Sequence, residues 1–335
     1  MHIYTPPKAP RYIPVIDLAE SFLDDPEAFD ATAQDIHRAC REMGFFYVSH
    51  HGIPAEFIAQ TFAWSKRFFD LPAPEKLALN MKNSPTASGY DAGLQQLDSQ
   101  GDAEKAPPDL KESFTMGRDL PDDHPWAQKR IRSFGHVQWP ATLPGFRAHM
   151  IAYRAAMTGL CSHILQLLAR SLDLPRDWFA PHFEMAAAST RLLKYPPQPV
   201  AAAFNQIGAG AHTDWGGVTI LAQDDCGGLE VRNADGEWIE ATPIPGTFVI
   251  NLGDLMARWS NGIYNANMHR VKNNLSGRDR YSIASFNDPR PDAVIEPIPG
   301  CVTEQFPRKF ATCTSQEHIY EMFRRSYGFT PGTAA

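Results

Sequence analysis

The chain has 335 residues, 43% hydrophobic and 21% charged, the make-up of a globular protein with ample core and not of a disordered or fibrous one. Its formal net charge is −7 with no block of Lys or Arg, which argues against nucleic acid or an anionic membrane surface as partner. The N-terminus shows no apolar signal-peptide region, the apolar stretch 146–169 is broken by Arg147, Arg154, His163 and Gln166, and the 5 cysteines are scattered; the expectation is a cytoplasmic protein with reduced thiols, no membrane span and no Cys-built zinc site.

Residues 1–12 are Pro-rich and predict an extended arm, and 13–17 a short strand. Phe29, Ala33, Ile36, Cys40 and Met43 form a helical stripe stopped by Gly44. A buried strand over 45–48 and a turn at His50-His51-Gly52 follow. A second helix runs over 54–69 and is closed by Pro72 and Pro74. Residues 80–110 are loop-rich and 118–142 irregular, and loops this long in a compact protein are usually functional. Phe146, Met150, Tyr153, Met157, Leu160, Ile164 and Leu168 then give the clearest stripe, a helix backing the core.

After Pro175 short β-prone pieces alternate with Gly-rich turns, over 190–195, 218–223, 229–231, 238–241, 247–252, 270–272 and 281–286. Many short strands at regular spacing indicate an antiparallel sandwich or barrel such as a jelly roll. A last helix covers 315–325. The fold class expected is α+β with a mainly β core. The chain divides into an N-terminal region (1–120), a linking loop and long helix (121–185), a β core (186–290) and a C-terminal helix or lid (291–335).

Within the β core, His212-Thr213-Asp214 places an imidazole and a carboxylate two residues apart, on one face if the segment is extended. His269 follows far enough downstream for intervening hairpins to return the chain. Two imidazoles and one carboxylate leave one face of a metal open, which suits non-haem Fe(II). Arg280 and Ser282 repeat the two-residue spacing and make a guanidinium-and-hydroxyl clamp for a carboxylate. A lone H-x-D is common by chance, so the residues by themselves leave two readings: an iron site, or a set of hydrogen-bonded polar side chains.

The wider pattern resembles the Fe(II)/2-oxoglutarate-dependent dioxygenases of the isopenicillin N synthase-like family. The matching pieces are Arg191-Leu-Leu-Lys-Tyr-Pro-Pro197, Gly210-Ala-His-Thr-Asp-Trp-Gly-Gly217, Gly227-Gly-Leu-Glu-Val231, Pro245-Gly-Thr-Phe-Val-Ile-Asn-Leu-Gly-Asp254, His269-Arg-Val-Lys-Asn273 and Asp279-Arg-Tyr-Ser282. Upstream, Ile13-Pro-Val-Ile-Asp17, Gly44-Phe-Phe-Tyr-Val-Ser-His-His-Gly-Ile53 and Lys111-Glu-Ser-Phe114 are similar too. The resemblance implies a distorted double-stranded β-helix (jelly roll) with outer helices. It implies Fe(II) on His212, Asp214 and His269, and the distal carboxylate of 2-oxoglutarate on Arg280 and Ser282, with Tyr195 beside it. Arg191 shares a strand face with Tyr195 and is a candidate second carboxylate contact. The implied reaction uses O2, releases succinate and CO2, and hydroxylates or desaturates a small organic substrate through an Fe(IV)-oxo species.

Departures from the family pattern point at the substrate. Leu193 stands where many members carry Asn, Trp215 follows the iron motif, and Tyr264-Asn-Ala-Asn-Met268 precedes His269. Trp215, Asn267, Phe286 and Tyr90 are the pocket candidates, and the loop around Tyr90 with the last helix is a candidate lid by analogy. The resemblance favours a monomer or weak homodimer. Three rivals remain at this point: an oxidase without 2-oxoglutarate, an ethylene-forming enzyme, and a non-enzymatic jelly-roll binding protein.

Overall fold

Two sheets of unequal size face each other, and helices cover the outer side of the larger. The computed structural model describes residues 9–93, 109–198 and 206–327. Much of the proposed N-terminal arm and the stretch 94–108 therefore lie outside the described residues. In chain order the elements are β1 (Val15–Asp17), α1 (Pro26–Glu42), β2 (Phe45–Ser49), α2 (Ala55–Phe69), α3 (Ala73–Ala78), β3 (Gly89–Asp91), β4 (Glu112–Met116), β5 (Arg118–Asp119), α4 (Pro125–Gln128), β6 (Phe134–Gly135), α5 (Phe146–Ser171) and α6 (Ala180–Phe183). Then come β7 (Ala187–Tyr195), β8 (Ala209–His212), β9 (Val218–Gln223), β10 (Leu229–Arg232), β11 (Trp238–Glu240), β12 (Phe248–Leu252), α7 (Asp254–Trp259), β13 (His269–Val271), β14 (Arg280–Asp288), β15 (Val294–Ile295), β16 (Cys313–Thr314) and α8 (Ser315–Tyr327).

The large sheet has eight strands in the order β1-β2-β12-β9-β14-β7-β4-β3, and the small sheet four, β11-β10-β13-β8. Central strands of the large sheet are buried on both faces, so they read as near-continuous apolar runs. Their period of two still sorts side chains. Phe46, Val48, Ile220, Phe248, Ile250, Leu192 and Ile283 point to the helices α1, α2 and α5 and form the main core with Ile36, Met157 and Ile164. Phe45, Tyr47, Leu193, Tyr195, Val249 and Ala284 point the other way and meet Leu229, Val231 and Val271 of the small sheet. The space between the sheets is where the functional side chains converge.

The expected strands and long helices lie close to where periodicity put them. Two further strands extend the large sheet: β4 pairs antiparallel with β7, and β3, which lies in the stretch 80–110 that reads as loop, pairs antiparallel with β4. β3 holds only three residues, too short for a period to register. Strands from the N-terminal region thus complete the sheet that carries the site. His50 and His51, in the turn after β2, each have a local partner. His50 lies beside Asp17 at 2.8 Å, and His51 accepts from the Ile53 amide and packs on Phe248.

Candidate active site

His212 ends β8 and His269 opens β13, and the two are direct cross-strand partners. Antiparallel pairing is what joins residues so far apart in the chain; their ring centroids are 4.3 Å apart. Asp214 sits in the loop leaving β8. That loop is pressed onto the start of α7, where the Asp254 amide donates to Asp214 O at 2.8 Å and the Leu255 amide to Gly216 O at 3.1 Å. Only glycine fits twice here. A Cβ on Gly216 would stand 1.5 Å from Asp288 Oδ1, and one on Gly253 2.3 Å from Gly216 O.

Each of the three side chains is aimed by a partner. His212 Nδ1 is 2.7 Å from Gly210 O and His269 Nδ1 3.3 Å from Asn267 O. A carbonyl can only accept, so each Nδ1 carries the proton and each Nε2 keeps its lone pair for a metal. Asp214 Oδ2 accepts from Thr219 Oγ1 and Asn251 Nδ2, both at 2.6 Å. Asp214 Oδ1 stays turned toward His269 Nε2 at 3.8 Å. The three candidate ligand atoms lie within 4.8 Å of one another. Burial, reinforced by the neighbouring His269, holds the His212 imidazole well below its ordinary range and so neutral. Burial pushes the Asp214 carboxyl up, but the neighbouring His269 and the donors Asn251 and Thr219 outweigh it and hold it below the ordinary carboxylate range. Two imidazoles and a carboxylate with one tied oxygen are a donor set that suits Fe(II).

Sequence reasoning did not find the Thr219 and Asn251 roles. They are cross-strand partners on β9 and β12, both on the inner face. The available clue was a polar residue inside the otherwise apolar run Phe-Val-Ile-Asn-Leu.

Beyond the triad, Arg280 is only 2% exposed. Its Nε donates to Gly227 O, its Nη1 lies 3.4 Å from Ser282 Oγ, and its guanidinium sits 4.7 Å over the Tyr195 ring. Among the described residues no carboxylate is in ion-pair contact with it. A buried cation without a counter-charge is costly, so this point of the fold asks for an anionic ligand. A carboxylate is an anion of the right shape for a guanidinium fork. Leu193 is buried opposite Ser282 and offers it no polar contact.

A cavity of about 630 Å³ opens on the other side of the triad. Its wall includes His212, Asp214, Trp215, Arg191, Phe286 and Asp288, closed by Ile319, Tyr320 and Phe323 of α8. The lining includes Arg191 but not Arg280, Ser282 or Tyr195, so Arg191 is set apart from the clamp. Trp215 packs edge-on against Phe323 at 5.0 Å. Two candidates do not reach this space. Asn267 instead donates from Nδ2 to Met43 O at 2.6 Å, fastening the approach to His269 onto the end of the first helix. Tyr90 is turned into the main core, its hydroxyl donating to Glu112 Oε2 at 2.7 Å. On a three-residue strand, one residue of register decides which face a side chain takes.

Comparison with known proteins agrees. Residues 186–289 match the 2OG-Fe(II) oxygenase superfamily, and 13–142 the N-terminal family described for the non-haem dioxygenase in morphine synthesis. A 2-oxoglutarate-Fe(II) type oxidoreductase of Emericella nidulans is 36% identical over 96% of this chain and 92% of its own. The chain belongs to the Fe(II)/2-oxoglutarate-dependent oxygenases, in their isopenicillin N synthase-like branch. A 2-oxoglutarate-dependent dioxygenase of Monascus ruber is likewise 36% identical, over 96% of this oxygenase and 97% of its own chain. Among solved structures, a full-length Neurospora crassa protein in complex with alpha-KG superimposes with a TM-score of 0.83 at 30% identity, covering 94% of this chain and 96% of its own. The same protein with alpha-KG and thymine gives 0.81 at 31% identity, covering 93% and 96%. The cofactors of this oxygenase are Fe(II) and 2-oxoglutarate, with O2 as oxidant, and its substrate is a small molecule. Among the described residues no helix is long and apolar enough to cross a membrane.

Proposed function

We propose that His212, Asp214 and His269 hold the Fe(II), that Arg280 and Ser282 grip the distal carboxylate of 2-oxoglutarate over the Tyr195 ring, and that the cavity presents a small organic molecule for hydroxylation or desaturation. Bound iron, 2-oxoglutarate and O2 supply the oxidising power: 2-oxoglutarate becomes succinate and CO2 while one C–H bond becomes C–OH, or two C–H bonds become C=C with water. The chain's own part is placement. Arg280 is permanently charged and fixed by Gly227 O, so it sets how deeply the co-substrate enters. Thr219 and Asn251 keep one Asp214 oxygen occupied and the other directed at the metal. Trp215, Phe286 and α8 position the substrate and keep bulk water away. We place the enzyme in the cytoplasm, as a monomer or weak homodimer; its free cysteines suit a reducing compartment.

The observation that carries this reading is the buried Arg280, which has no ion-pair carboxylate among the described residues, together with a preorganised His-Asp-His set. The test is anaerobic. Fe(II) and then 2-oxoglutarate are added to the apo-protein while the visible spectrum is recorded, and the Arg280→Ala variant is run alongside. A weak metal-to-ligand charge-transfer band in the wild type, lost or displaced to much higher 2-oxoglutarate in the variant, is the expected result. Iron bound without any such band would move the assignment to an oxidase that draws all its electrons from substrate.

A further inference from the structure

The inner face of β7 and β14 carries a second cation that the iron and co-substrate chemistry does not use. Arg191 pairs with Ala284, while Arg280 pairs with Tyr195, so the two arginines lie on one face four residues apart. At about 3.4 Å per residue their backbone positions are roughly 14 Å apart along the strands. Arg191 Nε donates to Thr115 Oγ1 at 3.1 Å, and its guanidinium leans to 5.6 Å from the Phe286 ring centroid. It forms no ion pair with a described carboxylate, and it lines the cavity directly.

The opposite end of the same row bears the opposite charge type. Asp288 stands two residues beyond Phe286 on β14, lines the cavity, and has Oδ1 tied to the Gly217 amide at 3.1 Å. Arg191, Phe286 and Asp288 therefore follow one another along a single wall, with Trp215 also bordering the space. Other charges border the space as well, Lys111 and Arg132 among them, and Arg132 and His318 act on Asp288; Arg191 is the cation that stands beside the Phe286 ring.

We propose that the substrate of this oxygenase is a flat cyclic carboxylic acid of one or two rings, its carboxylate paired with Arg191, its ring seated on Phe286, and its far edge, bearing an O–H or N–H donor, directed at Asp288. This rests on the oxygenase reading above and names the substrate class for that site. A guanidinium fork fits a carboxylate in two-point fashion, and an aromatic face beside it selects planarity. A cavity of about 630 Å³ admits such a molecule.

The test titrates the anaerobic Fe(II)- and 2-oxoglutarate-loaded enzyme calorimetrically with 4-hydroxybenzoate and its methyl ester, then with benzoate. The acid is expected to bind at least about tenfold more tightly than the ester, since one charge-assisted contact is at stake. Benzoate should bind more weakly than 4-hydroxybenzoate. Arg191→Gln should erase the acid-over-ester preference while leaving the 2-oxoglutarate charge-transfer band and its midpoint unchanged, and Arg191→Lys should restore part of it. Phe286→Ala should weaken acid and ester alike and keep their ratio, a readout that stands even if Arg191→Gln proves unstable. Equal binding of acid and ester, absence of acid binding at millimolar concentration, or an Arg191→Gln variant that loses 2-oxoglutarate instead would each overturn the proposal. A band that forms normally while the acids fail would sink this inference alone. A missing band would sink the oxygenase reading first.

Discussion

The two ends of one strand pair are built on opposite principles. At the Arg280 end of β7 and β14, every neighbour is fixed: a backbone carbonyl, a hydroxyl one pleat away and an aromatic face hold the guanidinium, and 2% exposure leaves it no freedom. At the Arg191 end the same face opens into a cavity bounded by side chains from β4, β14 and α8 and from the loop after β8. On the proposed reading, the closed end takes the co-substrate common to the family, and its geometry is carried by a short local motif; the open end takes the substrate, and its geometry is assembled from distant pieces. One sheet face would then separate co-substrate from substrate.

The strongest way to break that picture is to remove the triad. Asp214→Ala deletes the anionic ligand and leaves two buried imidazoles; iron retention by metal analysis and succinate formation should both fall to background. Retained iron with succinate release would mean that the metal sits elsewhere. Next in size is Arg280→Ala. Losing one partner of a buried charge pair costs about 3 kcal/mol or more, so 2-oxoglutarate affinity should fall roughly 100-fold, with iron binding intact. Unchanged affinity would remove the distinction between the two ends altogether.

A smaller effect separates aiming from binding. Asn251→Ala frees Asp214 Oδ2, so the carboxylate can rotate. Iron affinity should drop by about tenfold, in the range seen when outer partners of metal ligands are lost. Thr219→Ala should behave alike, and the double variant should lose less than the sum because both donors serve one oxygen. Additive losses would show that the two act on different things.

Legibility in the sequence followed the same division. Arg280 and Ser282 could be singled out because a two-residue spacing on a strand fixes a shared face; His212, Asp214 and His269 needed the wider family resemblance, since Asp214 lies beyond the end of β8 and His269 far downstream. The long helix Phe146–Ser171 and the central strands were equally plain, since their burial imposes a period. The cavity wall was not. Trp215 and Phe286 were identified as candidates and do line it, whereas Asn267 and Tyr90 do not. Whether a side chain reaches a cavity depends on which neighbour claims its polar group, and that neighbour lies on another element: Met43 O, 224 residues from Asn267, and Glu112, on the strand after Tyr90's. Asp288 escaped notice because a single Asp at a strand end has no pattern of its own.

Tyr90 supplies the smallest and most discriminating prediction. Its hydroxyl donates to Glu112, which also takes the Lys76 ammonium at 2.7 Å, on the side of the sheet away from the cavity. Burial pushes the Glu112 carboxyl up, but the Lys76 and Tyr90 hydrogen bonds and the charges of Lys76 and Lys194 overcome it, and its pKa lies below the usual 4.5. A depressed folded-state pKa contributes stability that is present above the unfolded value and is lost as pH falls through the folded one. Tyr90→Phe should therefore cost about 1 kcal/mol at neutral pH, and the gap from wild type should narrow below pH 4.5, where the carboxyl gains its proton. Thermal melts across that range measure it. KM for substrate and the 2-oxoglutarate midpoint should not move, because the cavity wall is untouched. A raised substrate KM at unchanged stability would place Tyr90 at the cavity after all, and would blur the line between the face that reacts and the face that only holds the sheet.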